Sequence, residues 1–399
     1  SSRIFRLTRI CPRNGSRPLN SNDIVIPGDA GASLIIDLGA IAGNYQLLQQ
    51  TCPGAEVGAS VKANAYGLGL AEVATTLSTA GCHIFFVATP QEGRELRGIL
   101  PTAEIVVLNG PEREATEIYA TDNLCPILNS LDQIDAWREG GGQSADAPSA
   151  YLHIDTGMNR LGLGPEEVSQ LLSAPERLHD VSVTTILSHL ACGDTPDHPM
   201  NAAQLASFTE SRRRIEALTG PIRGSLANSP GAFLGRDYHL DIVRPGAALY
   251  GVTPNFKKPN PMAQTVEIYA KILQVRDVDT PMTVGYGAAH RVAKPTRIAT
   301  VAAGYADGYP RAAANDADTN MQAHIGGHNV PLFGRVSMDL ITLDVSALPA
   351  DLAVPGQVVE LLGPHISLDD LAVASGTIGY EVLARLGNRL HRTYKQDQA

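Results

Sequence analysis

The chain has 399 residues, 44% hydrophobic and 18% charged, with a formal net charge of −10. Its length suits two domains, or a barrel-sized domain plus a smaller one, and its composition is that of an ordinary globular protein. The negative balance argues against a nucleic-acid surface, and no apolar stretch is long enough to span a membrane. Five cysteines without a CxxC pair argue against a disulfide framework or a zinc site, and for a reducing cytoplasm.

Residues 1–31 form a basic N-terminal extension, with Arg3, Arg6, Arg9, Arg13 and Arg17 ahead of the first acid, Asp23. It reads as a disordered arm, with an organelle transit peptide as the alternative. A helix is predicted at "DLGAIAGNYQLLQQ", where Asp37 can cap the first turn and Ile41, Tyr45 and Leu48 share a face. Eight short apolar runs follow: "EVGASVK", "IFFVAT", "IVVLNG", "LCPILNS", "AYLHIDTG", "VTTILSHL", "RGSLANS" and "DIVRPGAALYG". Helix-like segments separate most of them, from "GLAEVATTLSTAG" to "NAAQLASFTESRRRIEALTG". This alternation predicts parallel strands with crossover helices, and residues 32–264 are assigned to a (β/α)8 barrel. A doubly wound open sheet is the alternative, but no GxGxxG follows a first strand. Residues 265–399 carry strand-like runs broken by Gly and Pro, such as "QTVEIYAKILQVRDV" and "NVPLFGRVSMDLITLDV". They predict a separate, mostly antiparallel β domain, closed by the helix-like "LDDLAVASGTIGYEVLARLG".

Polar residues gather at the C-terminal ends of the barrel runs: Lys62, Asn129, Asp155, His189, Asn228 and Ser229. In a barrel that face carries the active site. Lys62 ends an apolar run in "VKANAYG", and apolar surroundings depress a lysine pKa, making it a candidate nucleophile and Schiff-base former. A snorkelling or ion-paired lysine is the structural alternative. "ANSPG" and "RPGAALYG" follow the last two strands, where barrels frequently bind phosphate. A barrel-mouth lysine, a phosphate site opposite and tyrosines to cover a ring together suggest pyridoxal phosphate. No metal site is expected.

Nine motifs in order, "VKANAYG", "HIDTGMNRLG", "SHLACGD", "ANSPG", "DIVRPGAALYG", "VGYG", "GYADGYPR", "GRVSMD" and "IGYEVLARL", resemble those of the alanine racemase family. The resemblance runs from about Ala32 to Arg392. It implies interconversion of L- and D-alanine by two bases, for cell-wall synthesis or D-alanine breakdown. Lys62 would hold the cofactor covalently and act as one base; Tyr286, in "VGYG", would be the other. His189 would be the hydrogen-bond partner of Tyr286; on the residues alone it reads as a satisfied core histidine. Arg244 would face the pyridine nitrogen, where a guanidinium donates and keeps its own proton; an ion pair with Asp241 is the structural alternative. Tyr66, Asn228, Ser229, Gly246, Ala247 and Tyr380 would bind the cofactor, mostly at its phosphate. Arg160 would take the substrate carboxylate, with help from the Met338 amide, while Tyr305, Met338 and Asp339 would line the substrate's approach.

One departure concerns the position seven before Arg160, a carbamylated lysine in many members of that family and His153 here. Arg160 then relies on another anion such as chloride, or His153 simply packs. The resemblance also implies a homodimer with shared sites. The three prolines of "GVTPNFKKPNPMAQT" point the same way, because a stiff link holds the β domain away from its own barrel mouth. The rival readings are a racemase of broader specificity, a same-fold amino-acid decarboxylase and a non-catalytic pyridoxal-phosphate carrier. Arg244 and Tyr286 together speak against the decarboxylase, and the β domain against the carrier.

Overall fold

The computed structural model describes residues 24–314 and 321–396. The arginine-rich part of the extension, residues 1–23, lies outside them.

All eight barrel runs become strands. The first is divided into β2 (Glu56–Val57) and β3 (Ala59–Ser60) at Gly58, where an added Cβ would lie 2.7 Å from the Phe86 ring. After it come β4 (Ile84–Val87), β5 (Glu104–Val107), β6 (Cys125–Leu128), β7 (Ala150–His153), β8 (Val183–Leu187), β9 (Arg223–Ser225) and β10 (Ile242–Val243). Strands β3 to β9 pair in parallel in chain order, and β10 pairs in parallel with β2. Arg244 N–H to Ala227 O (2.9 Å) and Asp241 N–H to Gly224 O (3.0 Å) join the last two strands, which closes the ring. Alternate residues point in: Phe86, Val106, Ile127, Tyr151, Leu187 and Ile242 fill the ring. Their neighbours Phe85, Val107, Leu128, Leu152 and Ile186 face the surrounding helices.

The second domain is built on β11 (Val266–Val278), which pairs antiparallel with β1 (Ala32–Asp37), β14 (Thr296–Val301) and β18 (Val358–Leu362). The hairpin β12–β13 (Thr283–Val284, His290–Arg291) and strands β15 (Gln322–Ile325), β16 (His328–Pro331) and β17 (Ile341–Asp344) complete the antiparallel part. The assignment of residues from 32 onward to the barrel is corrected for β1. This strand lies between β11 and β19 (His391–Lys395), parallel to the latter. All six of its residues are buried, so no alternation marks the sheet it joins. Asp37 then caps the helix Leu38–Thr51 by accepting the Ala40 N–H at 2.8 Å, as its position predicts.

The helix-like close also differs from its prediction. It splits into Leu368–Ala374 and Gly379–Ala384, with Gly376 in the left-handed region between them, the usual end of a helix. The second piece packs on the barrel mouth, beside Arg392 Nη1, which donates to Gly67 O at 2.6 Å, and Tyr394 OH, which donates to Leu68 O at 3.0 Å. The proline-bearing link is pinned to the barrel: Asn44 exchanges two hydrogen bonds with Ala263, both 2.8 Å.

Candidate active site

The C-terminal mouth of the barrel opens into a cavity of about 700 Å³. Lys62, Tyr66, Arg160, His153, His189, Asn228, Ser229, Arg244, Gly246, Ala247 and Tyr380 all line it. Tyr380 and its neighbour Ile378 arrive on the helix that the second domain lays across the mouth.

Lys62 stands at the start of an unusual turn. Ala63, Asn64, Ala65 and Tyr66 all have φ between 53° and 56°. For residues with a Cβ this costs about 1–2 kcal/mol each. Side-chain hydrogen bonds to the backbone in and around the turn help to offset it. Glu92 Oε1 accepts the Ala63 N–H (2.8 Å) while its Oε2 accepts the Ala88 N–H (2.7 Å), and Asn64 Oδ1 accepts the Leu70 N–H (2.7 Å). The turn carries Lys62 and Tyr66 into one cavity. Burial, and then the charge of Arg160, lower the Lys62 pKa, with Glu92 opposing.

Opposite lies a cradle of small residues. Ser229 Oγ accepts the N–H groups of Gly246 (2.9 Å) and Ala248 (3.1 Å), tying together the loops after β9 and β10. Ala247 opens the short 3₁₀ helix Ala247–Tyr250, so its N–H has no acceptor within that helix. A Cβ at Gly246 would overlap the Tyr66 hydroxyl. Tyr66 itself packs between Tyr250 (ring centroids 4.8 Å apart) and Tyr380 (6.3 Å). Burial holds the hydroxyls of Tyr66 and Tyr380 protonated, the latter pushed up to about 12. The cradle therefore offers O–H and N–H donors, which suit a phosphate.

At the base, Arg244 is buried, and its Nη1 and Nη2 donate to Ser225 Oγ and Ser188 O, both at 2.5 Å. The alternative of an Arg244–Asp241 pair is excluded, because Asp241 pairs with Arg212 (3.0 Å) and accepts the Gly224 N–H (2.7 Å). Burial draws the guanidinium down to about 10, which leaves it charged at neutrality. His189 lies beside it, its Nε2 3.3 Å from Asn228 Nδ2. Burial and the charges of Arg244 and Arg160 hold that imidazole at about 3, neutral at any ordinary pH. Arg160 sits at the rim, at the end of a turn whose three amides, from Gly157 to Asn159, all bond to Asp155 Oδ1.

The four predicted residues from the β domain are elsewhere. Tyr286, Tyr305, Met338 and Asp339 do not line this cavity, and the first three are 71%, 41% and 52% exposed. They are nonetheless assembled. Gly287, next to Tyr286, abuts the Arg335 side chain, and two residues further on Ser337 O accepts the Tyr305 N–H (3.0 Å). Arg389 then ties this face together through Asp339 (2.6 Å) and Asp307 (3.0 Å).

Sequence reasoning missed Glu92, Gln133, Ser188 and Ser225, which hold the site without entering the motifs. Glu92 carried a signal, standing three residues after Thr89 at a helix start; nothing marked the serines.

Residues 36–254 match the model of the alanine racemase N-terminal domain, and residues 265–394 match that of the C-terminal domain. The chain belongs to the alanine racemase family. An alanine racemase of Rhodospirillum rubrum is 47% identical over 92% of this chain and 96% of its own length. A catabolic alanine racemase of Mesorhizobium japonicum is 44% identical over 92% of this chain and 93% of its own. Among solved structures, an alanine racemase of Bartonella henselae with covalently bound pyridoxal phosphate superposes with a TM-score of 0.85 at 39% identity, covering 92% of this chain and 100% of that one.

Proposed function

We propose that this racemase-family chain interconverts L- and D-alanine with pyridoxal phosphate, one base coming from its barrel and the other from a second copy of the chain. The observation that carries the reading is the cavity itself: a half-buried lysine, a donor-lined cradle opposite and a buried arginine at the base. These residues fit the cofactor. The cradle of small residues matches a phosphate, to be held by the hydroxyls of Tyr66, Ser229 and Tyr380 and the Ala247 amide, with Gly246 packed tightly beneath Tyr66. Lys62 would hold the group covalently.

When bound, the cofactor supplies an electron sink that acidifies the substrate's α C–H. The chain's residues do the rest. Lys62, with its lowered pKa, gives and takes a proton on one face. Arg160 orients the substrate carboxylate with its planar fork. Arg244 keeps its proton and donates a hydrogen bond toward the pyridine nitrogen, which leaves that nitrogen unprotonated and the sink weak. A weak sink limits loss of the amino group. Tyr286, the base implied for the opposite face, does not line this cavity and is exposed to solvent. A two-fold dimer would bring the Tyr286–Tyr305–Met338 face of one chain to the mouth of the other. His189 would then stand beside the partner's phenol.

The four described cysteines are unpaired, which supports a reducing, cytoplasmic setting. The reading is tested by following racemisation across a panel of L-amino acids, with Lys62→Ala as control. Loss of optical activity with L-alanine and not with the variant is the expected result. Transfer to other side chains at equal rate would favour the broad-specificity racemase, and release of CO2 the decarboxylase.

A further inference from the structure

Strand β19, near the end of the chain, reaches the turn that carries Lys62. Within it Arg392 and Tyr394 are half-buried while His391 and Thr393 are exposed, the period-2 pattern that turns alternate side chains to one side. Pairing with β1 sets their height: Arg392 lies opposite Leu34 and Tyr394 opposite Ile36. The end of the strand is pinned by Lys395, whose Nζ lies 3.0 Å from Asp37 Oδ2 and 3.2 Å from Glu267 Oε1.

Both side chains meet the exit of the left-handed turn. Gly67 stays in the left-handed region at φ 83°, and Gly69 follows at φ 104°. A segment of this shape leaves carbonyls outside any regular ladder, and buried carbonyls need donors. Arg392 Nη1 donates to Gly67 O at 2.6 Å, and Tyr394 OH to Leu68 O at 3.0 Å. The fit is close, since a Cβ on Gly69 would overlap the Tyr394 hydroxyl. Arg392 has a second partner: its Nη2 donates to Leu386 O at 3.4 Å, two residues past the helix Gly379–Ala384. That helix carries Tyr380 and rests on Gly67, where an added Cβ would lie 2.6 Å from Leu383 O. One guanidinium thus joins the residue after Tyr66 to the end of the helix bearing Tyr380. The two tyrosine rings stand 6.3 Å apart and line the same cavity.

We propose that Arg392 is the positioning residue of the phosphate cradle: by bridging Gly67 O and Leu386 O it sets the distance between the Tyr66 and Tyr380 hydroxyls. The proposal rests on the phosphate reading of the cradle given above. Tyr66 comes from the barrel and Tyr380 from the second domain, so they form a donor pair for one anion only while the two domains are held in register. Arginine suits the task because its planar fork presents separate donors in fixed directions, which a lysine ammonium does not. Tyr394 holds the next carbonyl through a single neutral bond, so its contribution is smaller.

The test strips the cofactor from the enzyme and titrates it back, reading uptake of pyridoxal phosphate and of phosphate-free pyridoxal from absorbance. Arg392→Gln should raise Kd for pyridoxal phosphate about tenfold, the worth of one hydrogen bond to a charged group, and Kd for pyridoxal by less than about twofold. Tyr394→Phe should act in the same direction by about threefold. Arg392→Lys should stay severalfold weaker than wild type. Tyr66→Phe should cost much less affinity in Arg392→Gln than in wild type, because the two changes act through one contact. Equal weakening toward both ligands overturns the proposal, as does full additivity with Tyr66→Phe. Wild-type affinity in Arg392→Lys also overturns it, because charge alone then suffices. Tyr66→Phe and Tyr380→Phe in otherwise wild-type protein separate the two levels. If they weaken both ligands alike, the cradle is not a phosphate site and the reading beneath the proposal falls. If they weaken only pyridoxal phosphate while Arg392→Gln weakens neither ligand, the reading stands and the proposal falls.

Discussion

The barrel mouth and the Tyr286 face contain residues of the same chemical kinds, yet they differ in enclosure. At the mouth the groups that frame the pocket are buried or half-buried and tied to a neighbour: Arg244 to two serines, Ser229 to two amides, Glu92 to two more. On the β-domain face, Tyr286, Tyr305 and Met338 are ordered by backbone contacts but open to solvent. Three large apolar or aromatic side chains gathered on one exposed face usually mark a contact surface. The difference is what the proposed shared site requires: an enclosed pocket on the barrel, and on the β domain an exposed tyrosine free to enter another chain's pocket.

The sharpest way to break that comparison is to remove a base from each region. Lys62→Ala should lower turnover by at least about 10³-fold. Borohydride should fix the cofactor to wild type and leave none on the variant after dialysis, whereas retained covalent cofactor would mean that the lysine is misassigned. Tyr286→Phe should cost about 10²- to 10⁴-fold while cofactor fixation stays at the wild-type level, since the cradle does not contain it.

A smaller effect probes the base of the pocket. Arg244→Glu should raise the share of turnovers that end in transfer of the amino group, measured as pyruvate formed per racemisation; an unchanged ratio contradicts the weak-sink role. Smaller still are shifts in the Lys62 pKa, read in cofactor-free protein from the pH dependence of Lys62 acylation. Arg160 lowers that pKa and Glu92 raises it. Arg160→Gln should therefore move the acylation midpoint to higher pH and Glu92→Gln to lower pH, and shifts of the same sign would show that the two charges do not act as described. The smallest effect is on stability. His153 is held at about 4 when folded, against about 6.5 when unfolded. Its contribution is full above about pH 6.5 and is lost as pH falls toward about 4, so thermal stability should drop across that window and His153→Gln should flatten the drop.

Much of this was legible in the sequence because it rests on patterning. The eight apolar runs from "EVGASVK" to "DIVRPGAALYG" all became strands, since the period of strand and crossover helix is local. The placement of Lys62, His189 and Ser229 at strand ends followed from that. β1 was not legible, because a strand buried on both faces carries no sign of its partner. The left-handed turn at Ala63–Tyr66 was not legible either; two alanines in that conformation contradict local preference, and the compensating Glu92 lies 29 residues away. The Arg392–Tyr394 clamp escaped for a similar reason. The carbonyls it holds lie 325 and 326 residues earlier, and they meet it only once β19 stands beside β1.

The central claim is that the two regions meet only between chains. Lys62→Ala and Tyr286→Phe, each inactive alone, are mixed under conditions where subunits exchange. In a mixed dimer the barrel of the Tyr286→Phe chain keeps its lysine and receives tyrosine from its partner, so one site is whole. An even random mixture makes about half the dimers mixed with one good site in two, so activity should rise toward roughly a quarter of wild type. A mixture that stays as inactive as its parents, with exchange confirmed independently, would show that both bases belong to one chain.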